Sequence, residues 1–177
     1  MSSYACSTYV DRVRLILSAP VRWKTVELPN QTVFTFPDQG ETEGLLAFSR
    51  LMPLPPDMKA WANTTLSVEL GASRLGERVA TSAKNKTGYA IDLIECDVLS
   101  ASDQVVEVRL AAFYRFLEWS ATVLVRWRTR EGLEAHRAEI REVLQNGHPD
   151  WRASGRVMCV HELMQGIVVD GSSDSSS

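Results

Sequence analysis

The sequence predicts the α+β class, with an antiparallel sheet and helices packed on one face of it. Segments in which apolar and polar residues alternate, as they do in strands, fill the first 50 residues and residues 78–128. Two stretches instead space their apolar residues by three or four, as helices do, and each follows a group of strands. We predict a single domain over residues 11–165, between an N-terminal segment 1–10 and a Ser-rich disordered tail 166–177.

Four short strands are predicted at the start of the chain. The first alternates through Val13, Leu15 and Leu17 and ends at Pro20. Residues 24–28, 31–36 and 46–50 give the next three, and a proline follows each of them within a few positions. A proline at the end of a strand does little harm, because few neighbours need its missing N–H.

A first helix is predicted over residues 57–75. Asp57 is a good N-cap for it. The apolar positions at helical spacing are Met58, Trp61, Thr65, Val68, Ala72 and Leu75. Leu66, Val68 and Leu70 also alternate, so a helix followed by a strand stays open for this stretch.

Residues 78–128 predict an antiparallel meander. Residues 85–88, Asn-Lys-Thr-Gly, are typical of a hairpin loop, and further turns are predicted at 101–103 and at 119–120. Between those turns, alternate apolar residues from Val106 to Phe116 give one face of a strand. Glu107, Arg109 and Arg115 mark its other face as polar.

A second helix is predicted over residues 130–145. Thr129 caps its start, and Asn146-Gly147 ends it with a glycine free to adopt a positive φ. Its apolar side consists of Leu133, Ile140, Val143 and Leu144. The following residues, His-Pro-Asp at 148–150, are typical of a turn, and residues 157–164 predict a further strand.

Composition limits the classes of function. The formal net charge of −3 repels phosphate backbones, so we expect no nucleic-acid partner. No stretch approaches the roughly 20 apolar residues of a membrane helix, and the start lacks a signal-peptide pattern. The three widely spaced cysteines fit reduced thiols. We therefore expect a cytoplasmic protein without a membrane span.

Residues with catalytic or metal-binding chemistry are few. Cys159 and His161 would share one face of a strand, but no other cysteine or histidine has ligand-like spacing to them. Glu131 and Glu134 lie on the polar side of the second predicted helix, which a solvated helix face explains. With three histidines and no catalytic constellation, we expect a protein that is not an enzyme and holds no cofactor or metal.

The strongest candidate for a binding surface is basic and aromatic. Arg126, Arg128 and Arg130 alternate with Trp127, and Arg115 lies on the preceding strand. Such a sheet face can bind an acidic protein or single-stranded RNA, or can form ion pairs with the acidic helix, and these three readings stay open. Because Trp and Arg are frequent anchors of protein interfaces, we predict partner contacts from this region. The predicted contacts are Arg115, Trp119, Arg126, Trp127 and Arg128.

The order of elements, with Pro-Val-Arg-Trp at residues 20–23 after the first strand, resembles the PsbP-like superfamily. This superfamily includes the DcrB-like proteins and the Ran-release factor, and the resemblance covers residues 11–146. It implies a PsbP/DcrB-like fold, no catalytic residues, and action as an adaptor, an assembly factor or a chaperone of secreted bacterial effectors.

The first hypothesis is therefore a bacterial, cytoplasmic, secretion-associated protein-binding module. It would be an adaptor, an effector chaperone or an immunity-type protein. Its partner would be another protein, such as a secreted effector or its complex, and a homodimer stays open. The alternatives are a carrier of a small apolar ligand with a curved antiparallel sheet, and an enzyme of unknown type.

Overall fold

The structure, a computed structural model, describes residues 3–10, 13–28, 31–36, 44–49 and 51–150. These residues form strands in two antiparallel sheets and two helices. In chain order the elements are β1 (Ser3–Val10), β2 (Val13–Pro20), β3 (Lys24–Leu28), β4 (Gln31–Thr35), β5 (Gly44–Ser49), β6 (Met52–Pro53), α1 (Met58–Leu66), β7 (Arg74–Lys84), β8 (Ala90–Leu99), β9 (Val105–Phe116), β10 (Trp119–Trp127), α2 (Arg130–Asn146) and β11 (His148–Asp150).

The larger sheet has eight strands in the order β3-β4-β5-β10-β9-β8-β7, with the short β6 beside β10. The smaller sheet has the order β1-β2-β11. Every pair of neighbouring strands is antiparallel. Two helices with an antiparallel sheet confirm the predicted α+β class.

The two helices lie on opposite faces of the large sheet, which corrects the prediction that both share one face. Even-numbered residues of β9, such as Tyr114, pack with α2 and with β2 in the larger core cluster. Odd-numbered residues, such as Phe113, pack with Ala62 and Leu66 of α1 in a second cluster. The arginines of β9 suggested a polar second face, but Ala111 and Phe113 between them are buried. A sheet whose odd and even positions are both apolar must have other elements packed on both of its faces.

Most elements follow the local patterns of the sequence. The strands Val13–Pro20 and Lys24–Leu28, the hairpin loop at 85–88 and the polar turn at 101–103 agree with the predictions. The predicted apolar side of α2, from Leu133 to Leu144, is buried, and the Thr129 hydroxyl accepts the Gly132 N–H at 3.1 Å. The predicted turn at 119–120 lies two residues earlier, at Leu117 and Glu118, and Leu117 has a φ of 58°.

The first helix is shorter than predicted. Asp57 caps it as expected, accepting the Ala60 N–H at 2.9 Å, but the helix ends at Leu66. Two residues with positive φ, Glu69 at 52° and Gly71 at 58°, then break the helical path before β7 begins. Residues 57–75, predicted as one helix, therefore form a helix, a turn and the start of a strand.

Three strands were not expected from the sequence: β1, the short β6 and β11. β1 pairs with the whole of β2, within the N-terminal segment for which no element was predicted. The predicted turn at 148–150 is β11, whose residue His148 pairs with Ile16. Gly147 before it has a φ of −60°, so the predicted positive φ is absent. A Cβ there would lie 2.8 Å from both Leu17 Cδ2 and Tyr114 Oη, so the glycine permits a close approach instead.

The predicted strand 157–164 and the tail 166–177 lie outside the described residues. Within the described part of the chain, neither helix has the length and apolar character needed to cross a membrane.

Candidate functional site

Trp127, one of the predicted partner contacts, is a core residue. Its side chain is 1% exposed, and its indole lies between the rings of Phe36 and His136 at centroid distances of 4.5 and 4.9 Å. Gly44 and Gly132 make room for the indole, because a methyl group at either position would overlap it. The structure thus corrects the sequence prediction: the Trp127 side chain faces the interior and presents nothing to a partner.

The other predicted contacts do not share one surface. Arg126 pairs with Arg109 across β10 and β9, on the face of the sheet that α1 covers. Arg115 is six residues after Arg109 on β9, so it lies on the same face. Trp119 packs against the core on the α2 face. Arg128 follows β10 and is exposed. A partner role for Arg115, Trp119, Arg126 and Arg128 stays a prediction.

Arg109 and Arg126 belong to an ion-pair network that anchors α1. The Arg109 side chain is 1% exposed; its Nε lies 2.5 Å from Glu107 Oε1, and its guanidinium donates to the Leu66 and Val68 carbonyls at 2.5 and 2.7 Å. Arg126 bridges Glu107 and Glu69 at 2.9 and 2.5 Å. This network fixes the end of α1 and the following turn on the sheet, so it explains the two arginines as structural residues.

Burial and ion pairing have opposite effects on the pKa of the Arg126 guanidinium. Burial alone would lower the pKa of its guanidinium, but hydrogen bonds to Glu107 and Glu69 outweigh burial and raise the pKa above its ordinary value. Arg126 is therefore a permanent cation held in place by two carboxylates.

The alternating arginines at 126, 128 and 130 do not form one stripe. Arg130 begins α2 and pairs with Glu95 and Asp97 of β8 at 2.7 and 2.5 Å. Arg137, two turns along the helix, also binds Glu95, at 3.0 Å. These pairs fasten α2 to the opposite face of the sheet from the Arg126 network. Ion pairing with the acidic helix, the third reading of these residues, is not what the structure shows. Arg126 pairs with Glu107 and Glu69, and Arg130 pairs with Glu95 and Asp97, so the pairing is intramolecular but uses no carboxylate of α2.

The described histidines and cysteine have packing roles. His136 stacks on Trp127, and His148 Nδ1 lies 2.8 Å from the Asn146 carbonyl. Cys96 is buried beneath α1, and burial raises the pKa of its thiol. Within the described ranges, no three His, Cys, Asp or Glu residues are grouped so that they could hold a metal ion.

The most distinctive open feature is the sheet edge formed by β7. This strand pairs with β8 and with no other strand of the described chain. Most of its 11 residues are exposed, and Val79 is exposed by 62%. At its centre, Val79 to Ala83 form an uncharged run of small and β-branched side chains between Arg78 and Lys84. A long, uncharged edge is a template for another strand.

The hairpin register shows which backbone groups of β7 are free to pair. The Asn85 N–H donates to the Tyr89 carbonyl at 2.9 Å, so these two residues form a hydrogen-bonded pair. In an antiparallel ladder such pairs alternate, and Ala83, Thr81 and Val79 therefore bond to β8. The residues between them turn their N–H and C=O groups to the open edge. These are Arg78, Ala80, Ser82 and Lys84.

A groove flanks β7 on each face of the sheet. Between β7 and α2 lies a groove of about 370 Å³, with Val79, Thr81 and Leu93 on its floor and Arg137 and Arg141 on its helical wall. Between β7 and α1 lies a groove of about 420 Å³. Its lining includes Met58, Lys59, Ala62, Arg78, Ala80 and Phe113. Side chains of an added strand would enter both grooves, because successive residues point to opposite faces.

The rim of this edge is basic in an otherwise weakly acidic chain. Three of the four lysines of the sequence are found here: Lys59 in the α1 groove, Lys84 at the end of β7 and Lys86 in the hairpin loop. Arg78 and Arg141 add two more charges. None of these five cations forms an ion pair with a described residue, whereas Glu77 is the single carboxylate within β7.

The edge position of β7 is not evident from the sequence. Alternation indicates a strand from Arg78 onward, but the position of a strand within a sheet depends on contacts distant in sequence. The available signal was the uncharged run from Val79 to Ala83, bounded by basic residues, in a chain with only four lysines.

Comparisons with known proteins support the fold. No protein-family model matches the sequence, and no curated protein matches it. The solution structure of cyanobacterial PsbP (CyanoP) from Synechocystis sp. PCC 6803 is similar, with 15% identity and a TM-score of 0.56, over 83% of this chain and 92% of that one. A structure of a point mutant of the protein Mog1 has 13% identity and a TM-score of 0.52, over 84% and 96%.

The crystal structure of the Ran-binding protein Mog1p of Saccharomyces cerevisiae matches with 12% identity and a TM-score of 0.52, over 84% of this chain and 95% of that one. Similarity at this level of identity concerns the fold. It confirms the resemblance expected from the order of elements: the chain has the fold shared by PsbP and Mog1.

Proposed function

We propose that this chain is a non-enzymatic protein-binding module that holds its partner by adding an extended segment of that partner to β7. The observation that supports the proposal is the open β7 edge, where four residues direct unpaired backbone groups outward between two grooves. Main-chain hydrogen bonds would supply affinity, and the side chains entering the grooves would supply specificity.

The structural neighbours are compatible with this class of function. Mog1p, one of the proteins with this fold, is described as a Ran-binding protein. We propose further that the chain is an adaptor, an effector chaperone or an immunity-type protein of the bacterial cytoplasm, as the resemblance in the order of elements suggests; a shared fold does not by itself assign such a role. The proposal assigns the partner contacts to β7 and its grooves, and includes no catalytic residue or cofactor.

A carrier of a small apolar ligand is the second candidate. The groove between α2 and β7 has a volume of about 370 Å³, which lies in the range of roughly 300–1,000 Å³ of small-molecule sites. Leu93, Leu110 and Leu144 are among its lining residues. A ligand in this groove would contact the same strand as a partner segment, so one experiment can compare the two functions.

The test is affinity purification of the tagged full chain from its native cytosol, with proteins, lipids and nucleic acids analysed in one eluate. Ala80→Pro removes an outward N–H of β7, and β8 does not use that N–H. Ala80→Val is the matched control, because it changes the side chain and keeps the N–H. We expect one dominant protein with the wild type and with Ala80→Val, and its loss with Ala80→Pro.

Other outcomes identify which part of the proposal is wrong. If Ala80→Pro still recovers the partner and Arg128→Ala does not, the partner binds the arginine surface predicted from the sequence and not β7. An eluate with a stoichiometric lipid and no protein would replace the binding module by the carrier. Thermal unfolding of each variant shows whether it is folded, and Ser82→Pro, at an equivalent position, serves if Ala80→Pro unfolds.

A further inference from the structure

We infer that the segment added to β7 is acidic: a short extended stretch with an uncharged centre and Asp or Glu residues at its flanks. This inference rests on the proposed function and concerns the chemistry of the partner. It follows from where the charges lie around β7, and from what those charges exclude.

The centre and the ends of β7 differ in character. Val79 to Ala83 carry no charge, so a strand beside them needs uncharged residues there, preferably β-branched ones that suit a sheet. Arg78 and Lys84, at the two ends of this run, are among the residues whose backbone faces the open edge. A partner residue beside either cation would gain from a negative charge, because opposite charges on neighbouring strands attract.

The walls of both grooves extend the same preference. Lys59 lines the α1 groove, and Arg141 lines the α2 groove. Two of the nearby carboxylates are already paired, Glu95 with Arg130 and Arg137 and Asp92 with Arg115. Within β7, Glu77 is the one carboxylate that stands against the five cations of the rim. The surplus charge around the edge is therefore positive. Acidic flanks of a partner segment would meet this positive charge, and a basic segment would be repelled.

The same charges disfavour a second copy of this chain as the occupant. In the symmetric antiparallel register that pairs all 11 residues of β7, Arg74 of each copy stands opposite Lys84 of the other. Like charges directly opposite each other destabilise a strand pair, and this happens at both ends. The ends of β7 thus act against self-association while they favour an acidic partner.

The inference is tested with a phage-displayed library of random 12-residue peptides, selected against the immobilised full chain. We expect enriched peptides with a β-branched centre flanked by Asp and Glu. Synthetic copies should bind the wild type, and Ala80→Pro should weaken them at least tenfold relative to Ala80→Val. Raising the salt concentration from 0.05 to 0.5 M should weaken binding, because screening shortens the reach of exposed charges.

Reversing the charge of lysines beside β7 measures the electrostatic contribution to peptide affinity. Lys84→Glu with Lys86→Glu should weaken the same peptides on the order of tenfold, as expected for reversing two exposed pairs. Lys24→Glu is the matched control, since Lys24 is an exposed lysine on β3, at the opposite edge of the sheet. It should leave the affinity within about twofold, because its charge is far beyond the screening length of roughly 8–10 Å.

Several results would overturn the inference. They are an absence of enrichment, enriched peptides without acidic residues, equal loss of affinity in Lys24→Glu, and full affinity for Ala80→Pro. Sedimentation that shows a dimer, dissociated by Ala80→Pro, would make a second copy the occupant. If Ala80→Pro abolishes binding of the native partner but neither salt nor Lys84→Glu affects it, the partner binds at β7 and the inference that it is acidic is wrong. If the native eluate contains no protein partner, the proposed function itself is wrong.

Discussion

Gly132→Ala sets two physical effects against each other in the first turn of α2. Replacing a helical glycine with alanine ordinarily stabilises a helix by about 0.5–1 kcal/mol, because alanine loses less backbone entropy on folding. Here a methyl group on Gly132 would overlap the indole of Trp127. That indole cannot retreat, since Phe36, His136 and Gly44 enclose it.

Packing should outweigh helix propensity in this case. Overpacking a well-filled core costs about 1–3 kcal/mol, so after the helix gain the net change for Gly132→Ala is a loss of up to about 2.5 kcal/mol. For a chain of this length, that loss lowers the midpoint of thermal unfolding by up to about 10 °C. Urea and thermal unfolding, followed by circular dichroism, measure both quantities.

Two controls separate the effects. Ala138→Gly, at an exposed position of the same helix, should cost about 1 kcal/mol and thus report helix propensity alone. Combining Gly132→Ala with Trp127→Phe should recover part of the loss, because the smaller ring leaves space for the methyl group. A Gly132→Ala variant that is more stable than the wild type would refute the packing of the indole against α2.

Three further predictions concern the core. Trp127→Ala should lower the free energy of unfolding by about 3–5 kcal/mol, through lost burial and a cavity, and a change below about 1 kcal/mol in urea unfolding would contradict its buried position. Arg109→Leu should cost about 3 kcal/mol by chemical denaturation, because it leaves the Leu66 and Val68 carbonyls without their donor; a neutral variant would show that the network is dispensable. Burial raises the pKa of Tyr114 far above its ordinary value of 10.0. Since the unfolded phenol then ionises first, stability should fall as pH rises above about 10, by up to about 1.4 kcal/mol per pH unit from this group. A Tyr114→Phe variant should show a shallower alkaline loss, and parallel curves would contradict the assignment.

Local patterns in the sequence were enough for elements whose periodicity is unambiguous. The alternation that ends at Pro20 and the apolar side of α2, from Leu133 to Leu144, predict a strand and a helix that the structure contains. N-caps were predictable for the same reason, because Asp57 and Thr129 act on backbone groups within three residues of themselves.

Features that depend on distant contacts were not predictable in this way. Arg109 was predicted on a polar face, yet it is buried, because the two carbonyl groups that accept its hydrogen bonds lie about 40 residues earlier in the chain. Trp127 alternates with arginines as an exposed aromatic would, but α2 folds back over it. The edge position of β7 follows from the strand order of the whole sheet, which no local pattern encodes.

The most direct test of the account is amide hydrogen exchange along β7, with and without an enriched acidic peptide. In the free protein, the amides of Val79 and Thr81 should be protected by β8, while those of Ala80 and Ser82 should exchange freely. On binding, we predict protection of Ala80 and Ser82 with no change along β3. Protection that appears elsewhere, with Ala80 and Ser82 still exchanging freely, would contradict the claim that the partner adds a strand to this edge.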